Sequence, residues 1–334
     1  MTAAPSHAIE EARYCADTFN GAVAAAALSA AWDIGLLDEL AERDTVDVPE
    51  FTARTGTRPE PVRRILAALS SRRIVVDAGP NLAQRGPGFE QAFRTRGFFY
   101  WLTRGCGELF TDLTDLVTAD ADRQMRRDSR AISVACRSIA RNFFDPPLRD
   151  LLDGLDFTTV ADLGCGSGDR IIMLAGQRPD LRAIGVDIAQ GALAVAREAV
   201  QAANLEARIT LTRDDVLSMS PRPEYADVDL VTCFLMGHDF WPRDNCVKTL
   251  QQLRETFPNL RSLVLGDTCR SVGVEGPDLP MFTLGFETVH AVMDQYLPTL
   301  DEWYSVIEDS GWRLADERLI DLPAFSFIFR LTQD

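Results

Sequence analysis

Residues 158–168 read TTVADLGCGSG, and the fold turns on how this stretch is parsed. Thr158 to Ala161 are apolar or β-branched and predict a strand, whereas Asp169 through Leu174 place their apolar residues on one helical face. Gly164, Gly166 and Gly168 therefore occupy a strand-to-helix turn, where the missing Cβ atoms let the backbone bend sharply and approach a ligand. The N–H groups at the helix start can meet that ligand's polar groups. Asp162 precedes the glycines. A second apolar strand, Ala183 to Val186, ends on Asp187, whose carboxylate can accept from both hydroxyls of a ribose. Loop and acid together predict a cofactor cradle.

Outward from the cradle, strand and helix alternate. Thr159 to Leu163, Ala183 to Asp187, Ile209 to Thr212, Val228 to Phe234 and Ser262 to Gly266 read as strands with helices between most of them, the pattern of a doubly wound parallel sheet. Trp312 to Leu319 and Phe325 to Leu331 are β-rich runs joined through Pro323 and predict a closing antiparallel hairpin. The fold class is α/β.

Before the sheet the chain is mostly helical. Between Thr18 and Leu40, Phe19, Val23, Ala26, Ala30, Ile34 and Leu37 recur at helical spacing with an interruption at Gly35, predicting a buried or interface helix pair. Asp47 is placed to cap a short helix ending near Thr55 and Gly56, Pro61 to open another carrying Val62, Ile65, Leu66 and Leu69, and Ile74 to Pro80 to form a small wing. This is a winged-helix pattern. Arg63, Arg64, Arg72 and Arg73 make a local basic cluster, read as a solvated face. Phe98, Phe99, Tyr100 and Trp101 start a helical run toward Leu116, mostly core, with aromatics that can also wall a pocket. A polar loop with Arg126, Arg127 and Asp128 follows, then a helix from Ala131 to Phe144 that Pro146 and Pro147 break. A domain boundary is expected near Gly154, dividing residues 1–153 from 154–334.

Composition bounds the partners. The 334 residues are 46% hydrophobic and carry a formal net charge of -16, which opposes a nucleic-acid partner and favours a small molecule. Seven cysteines without C-x-x-C pairs suit reduced thiols in a cytoplasmic protein. Neither an export signal nor an apolar run long enough to cross a membrane is read.

The loop spacing, G-x-G-x-G after an acid, differs from the dinucleotide fingerprint G-x-G-x-x-G and resembles the S-adenosyl-L-methionine (SAM) loop of class I methyltransferases. That resemblance implies that Asp162, Gly164, Gly166, Gly168 and Asp187 hold SAM. Asp215, after the third strand, would meet the adenine amino group, although it also reads as a plain turn acid. Phe234, closing the fourth strand, is counted with the cofactor set.

The residues after the fourth strand, Leu235 to Trp241, carry the reaction's identity. The chain has three histidines: His7, in an expected disordered tail, His238 and His290. His238 follows the fourth strand, where ligands of open sheets bind, and its unperturbed pKa near neutrality suits a general base. His-Asp-Phe-Trp resembles the His-Asp-Trp segment of plant-type phenolic O-methyltransferases, whose histidine deprotonates a hydroxyl. Gly237 to Cys246 (GHDFWPRDNC), Phe282 to Phe286 (FTLGF) with His290, Tyr296 to Trp303 (YLPTLDEW), Arg127 with Asp128, and Ala131 to Arg137 are similar to the 2-oxo acid C-methyltransferases typified by phenylpyruvate C3-methyltransferase.

This likeness spans nearly the whole chain. It implies a homodimer through the winged-helix domain, which also serves as a substrate lid. It also implies a transition metal (Fe, Co, Ni or Zn) on His238 and His290 that helps move a methyl group from SAM to Cβ of a 2-oxo acid, for β-methyl amino acid biosynthesis. Arg127, a planar fork of donors, is assigned to the substrate carboxylate. Asp239 is left with three roles: orienting His238, touching substrate or accepting the proton. Trp101, Met236 and Phe282 are candidate pocket walls and favour an apolar or aromatic side chain.

Overall fold

The computed structural model describes residues 4–118 and 127–333, so Arg126 lies outside the described residues. Among these, 4–107 with 127–138 form one compact unit and 108–118 with 139–333 a second.

In the first unit, the helix Ala4–Asp33 is followed by Leu36–Arg43, and Gly35 between them takes φ 76°, a turn that glycine enters without a Cβ penalty. His7, expected in a disordered tail, belongs to the first of these helices. The strand β1 (Thr45–Asp47) leads into the helix Val48–Thr55. Asp47 caps it by accepting the Glu50 N–H at 2.9 Å, and Gly56 ends it at φ 70°. The next helix, Pro59–Ser70, opens on Pro59 rather than Pro61, since proline is tolerated throughout the first turn. Then β2 (Val75–Gly79) and β3 (Leu82–Arg85) make the wing, and the antiparallel sheet runs β1-β3-β2.

Leu28, Leu36, Leu37, Leu40, Phe51 and Leu69 fill this unit's core, each at most 1% exposed. The basic cluster is ion-paired on the surface: Arg63 and Arg64 with Glu60, and Arg72 with Asp17. Phe98, Tyr100 and Trp101 are buried, and a wider helical turn, Trp101–Gly105, follows the helix Phe89–Tyr100.

Pro146 and Pro147 do not break the chain after Phe144. They fall in the first turn of a further helix, Asp145–Leu152, where a missing N–H costs nothing, and a wide turn over Ala140–Phe144 precedes it. This stretch belongs to the second unit. Phe144 meets Phe234 edge-on at 6.0 Å and Arg178 donates to the Leu152 and Leu155 carbonyls, so Gly154 lies within that unit and not at its edge.

The second unit is built on seven strands: β4 (Thr159–Leu163), β5 (Arg182–Asp187), β6 (Ile209–Arg213), β7 (Leu230–Phe234), β8 (Ser262–Thr268), β9 (Arg313–Ile320) and β10 (Ser326–Thr332). Their order is β6-β5-β4-β7-β8-β10-β9, with β10 antiparallel to both neighbours and the first five parallel. Every residue of β4 and β7 is buried, as central parallel strands covered on both faces require. The chain steps outward from β4 to β5 and β6, then returns to β7 on the other side of β4. That reversal opens a crevice at the carboxyl ends of β4 and β7. No single described helix is long and apolar enough to cross a membrane.

Candidate active site

The glycine loop leaves β4 with three left-handed residues, Gly164 (φ 67°), Gly166 (φ 53°) and Gly168 (φ 76°), a backbone course that side chains oppose. A Cβ on Gly164 would lie 2.5 Å from Met236 Sδ, so the loop packs directly against the segment that follows β7. Asp187 closes the loop: one carboxylate oxygen accepts the Gly166 N–H at 2.9 Å and the other the Ala189 N–H at 2.8 Å. Both oxygens retain lone pairs for hydroxyl donors.

Asp162 is 1% exposed and works beneath the loop, accepting from Thr232 Oγ1 at 2.6 Å and from Arg170 at 3.1 Å. The Arg170 guanidinium lies 3.9 Å over the Phe234 ring, so that ring is held by packing on its cationic neighbour. Asp215 caps a short turn, accepting the Leu217 N–H at 3.0 Å, which is the plain turn-acid geometry.

The second cluster is made of side chains. His238 sits in the tight turn Gly237–Phe240 after β7, and His290 in the helix Thr283–Val292; they are 7% and 3% exposed. Their rings meet edge to face with centroids 4.9 Å apart. Nδ1 of His238 donates to Asp267, whose oxygens lie at 2.9 and 3.1 Å, and the His238 backbone N–H donates to the same carboxylate at 2.6 Å. Nδ1 of His290 donates to the Phe286 carbonyl at 2.7 Å. With Nδ1 donating, the neutral form of each ring carries its lone pair on Nε2.

Strand register explains the meeting of His238 and Asp267. Phe234 of β7 lies opposite Gly266 of β8, so both chains leave the sheet at the same level. Gly237 is required there, because a Cβ would stand 2.9 Å from Asp267 Oδ2. Phe286 packs on both imidazoles, with centroids at 5.6 Å from His238 and 4.2 Å from His290, and Phe282 packs on Phe286 at 5.1 Å.

Known proteins agree with this architecture. The family described as a methyltransferase domain matches residues 160–257. The chain is 41% identical over 331 residues to methyltransferase ungE' of Aspergillus campestris, covering 95% of this chain and 96% of the relative. The chain belongs to the SAM-dependent methyltransferases. It is 28% identical to an indolepyruvate C-methyltransferase of Streptomyces griseus over 92% of each chain. The mitomycin 7-O-methyltransferase structure superposes with a TM-score of 0.66 over 98% of this chain and 99% of that one; at 16% identity it shares the plant-type O-methyltransferase fold.

In this methyltransferase, His238 and His290 come together, as does Phe282 through Phe286. Met236 belongs to the same unit, against Gly164. Trp101 and Arg127 belong to the other unit, where Asp128 donates its N–H to the Gly105 carbonyl at 3.0 Å and so ties the Arg127 segment to the turn that Trp101 begins. Asp239 is exposed and accepts from the Gln295 amide.

Sequence reasoning missed Asp267. Its signal was present: an acid ending an otherwise apolar strand, as Asp187 does, but the strand was read as stopping at Gly266. Arg170 was missed as well, since a lone arginine after a glycine loop reads as surface.

Two anchored imidazoles form a donor set that fits a transition metal, because ligating histidines characteristically donate their other ring N–H to a carboxylate or carbonyl. Among the described residues no group of three or more His, Cys, Asp or Glu side chains could hold a metal ion.

Proposed function

We propose that this methyltransferase moves the SAM methyl group to Cβ of a 2-oxo acid with an apolar or aromatic side chain, with His238 and His290 holding a transition metal. One observation carries the reading: two buried histidines from separate segments meet at 4.9 Å, each with Nδ1 held by a carboxylate or carbonyl oxygen. The similarity to an indolepyruvate C-methyltransferase supports the same acceptor class.

The chemistry asks for such a site. A Cβ hydrogen of a 2-oxo acid is weakly acidic, and the enolate left by its removal must attack the sulfonium methyl in line. When bound, the metal supplies a Lewis acid for the acceptor's oxygen; lowering the barrier by about 4 kcal/mol corresponds to roughly a thousandfold. Asp239 stands in the same turn as His238, where it can orient that ring, touch the substrate or accept the Cβ proton, with Gln295 holding one of its oxygens. Asp267 holds His238 in register. Phe282 and Phe286 form an apolar wall beside the imidazoles and exclude water from the enolate.

The test is isotope exchange without the methyl donor. Candidate 2-oxo acids are incubated in heavy water with metal-loaded protein and no SAM, and deuterium entry at Cβ is followed. Exchange supports the reading. Absence of both exchange and methylation across aromatic and aliphatic 2-oxo acids sinks it.

One observation favours a second reading, O-methylation with His238 as general base. A buried carboxylate on Nδ1 also prepares Nε2 to accept a proton. His290 separates the two, since a base needs no second imidazole.

We also propose that the first helix mates with a second copy of the chain. Tyr14 (72% exposed), Phe19 (73%) and Val23 (47%) leave apolar surface on it uncovered. A monomeric mass in solution at micromolar concentration overturns this.

A further inference from the structure

The way the helix of His290 ends ties it to the turn of His238. After the helix Thr283–Val292, Asp294 takes the left-handed conformation at φ 56° and donates its N–H to the Ala291 carbonyl at 3.1 Å. Aspartate enters that conformation more readily than most residues, so the turn forms without glycine. The next N–H, that of Gln295, reaches back to the carbonyl of His290 itself at 2.9 Å. The backbone of Gln295 is thereby fixed relative to His290.

The far end of Gln295 is fixed relative to His238. Its side-chain amide donates to Asp239 Oδ1, and Asp239 directly follows His238 in the turn Gly237–Phe240. The flanking residues run the same course, with Trp241 stacked on Tyr296 at 5.6 Å between centroids and 27° between planes. One residue thus joins the two histidine segments, anchored on a carbonyl at one end and a carboxylate at the other. Glu287 tethers the same helix differently: it accepts the Ser271 N–H at 2.6 Å, which ties the helix to the chain leaving β8 and not to the turn of His238.

Two imidazoles on separate segments make a donor pair only while their separation is held. An edge-to-face contact at 4.9 Å permits sliding, whereas hydrogen bonds at both ends of one side chain fix a distance. We propose that Gln295 is a positioning residue that sets the separation of the His238 and His290 rings through its bridge to Asp239. The consequence for a metal rests on the proposed function; the consequence for the rings does not, and each has its own measurement.

The test uses the full chain. Three histidines give histidine-labelled protein a small set of ring signals, and the metal-free wild type should show a nuclear Overhauser contact between the His238 and His290 rings. Gln295→Met keeps the length of the side chain and removes its amide. It is expected to lose the ring contact and to bind cobalt(II) about 10–100-fold more weakly than wild type, the range for a lost supporting contact. Combining Gln295→Glu with Asp239→Asn rebuilds the hydrogen bond in the reverse direction at the same total charge. This pair should restore the ring contact and bring cobalt affinity to within about twofold of wild type.

An unchanged ring contact in Gln295→Met overturns the proposal and leaves Glu287 as the tether that suffices. Loss that the reversed pair does not recover also overturns it, by making Gln295 a packing residue. A wild-type chain that shows the ring contact but retains no cobalt rejects the metal of the proposed function, and the ring contact alone then decides the bridge. Should Gln295→Met not fold, Gln295→Asn, whose amide falls one methylene short of Asp239, is judged by the same two readings.

Discussion

The cradle after β4 is made of backbone, and the cluster after β7 is made of side chains. The cradle draws on a single contiguous run, Asp162 to Gly168, with Asp187 at the next strand end closing it through two N–H groups. The cluster gathers Asp267 from β8, His238 from the turn after β7 and His290 from a helix, with no two adjacent in sequence. Met236 is the seam between them, resting on Gly164 two residues before His238. Under the proposed function the cradle takes the methyl donor and the cluster the acceptor. A backbone site tolerates change in its side chains but no added Cβ; a side-chain site is the converse.

Substitutions that separate the two regions test this division. His290→Ala should abolish metal retention and lower Cβ exchange by more than about 100-fold, since a lost ligand exceeds the 10–100-fold typical of a lost supporting contact. SAM affinity should stay within about twofold in calorimetry. Full activity in this variant would remove the metal and leave His238 as a base. Asp267→Asn should lower metal affinity by about 10–100-fold, because the amide loses its charge and sets a donor near the His238 N–H that Asp267 now accepts. An unchanged dissociation constant would show that the carboxylate only fills space.

The converse substitution is Gly164→Ala. Its Cβ would meet Met236 Sδ at 2.5 Å in a residue held at φ 67°, so SAM affinity should fall by about tenfold while metal binding is spared. Pairing it with Met236→Ala should recover part of the loss, the part due to contact and not to φ. The smallest effect is on stability. The folded-state pKa of Asp145 is raised from its ordinary value of 3.8, so the wild-type chain loses stability as pH rises through that window. Cofactor-free Asp145→Asn should melt about 2 °C higher than wild type at neutral pH, with the difference vanishing below pH of about 4. A lower melting point at neutral pH would mean that the charged form is stabilised in the free protein.

Much of the fold was legible from residue pattern because its elements are strongly marked. Runs rich in apolar and β-branched residues gave the central strands, Asp47 and Gly56 bracketed their helix as read, and the glycine loop announced the crevice. Pro146 and Pro147 misled, since a proline pair terminates one helix and starts the next with equal ease. Asp187 and Asp215 look alike as strand-end carboxylates, yet one accepts the Gly166 N–H of the glycine loop and the other the Leu217 N–H of its own turn.

By itself the sequence determined the methyl donor and the α/β sheet that presents it, because a glycine turn and alternating apolar runs act over a few residues and need no distant partner. Only the tertiary structure decided that Asp267 holds His238, that His290 stands 4.9 Å away, and that Thr232 donates to Asp162. Those contacts depend on strand order and register, which bring residues far apart in the chain to the same sheet end. Distances along the chain carry no record of that.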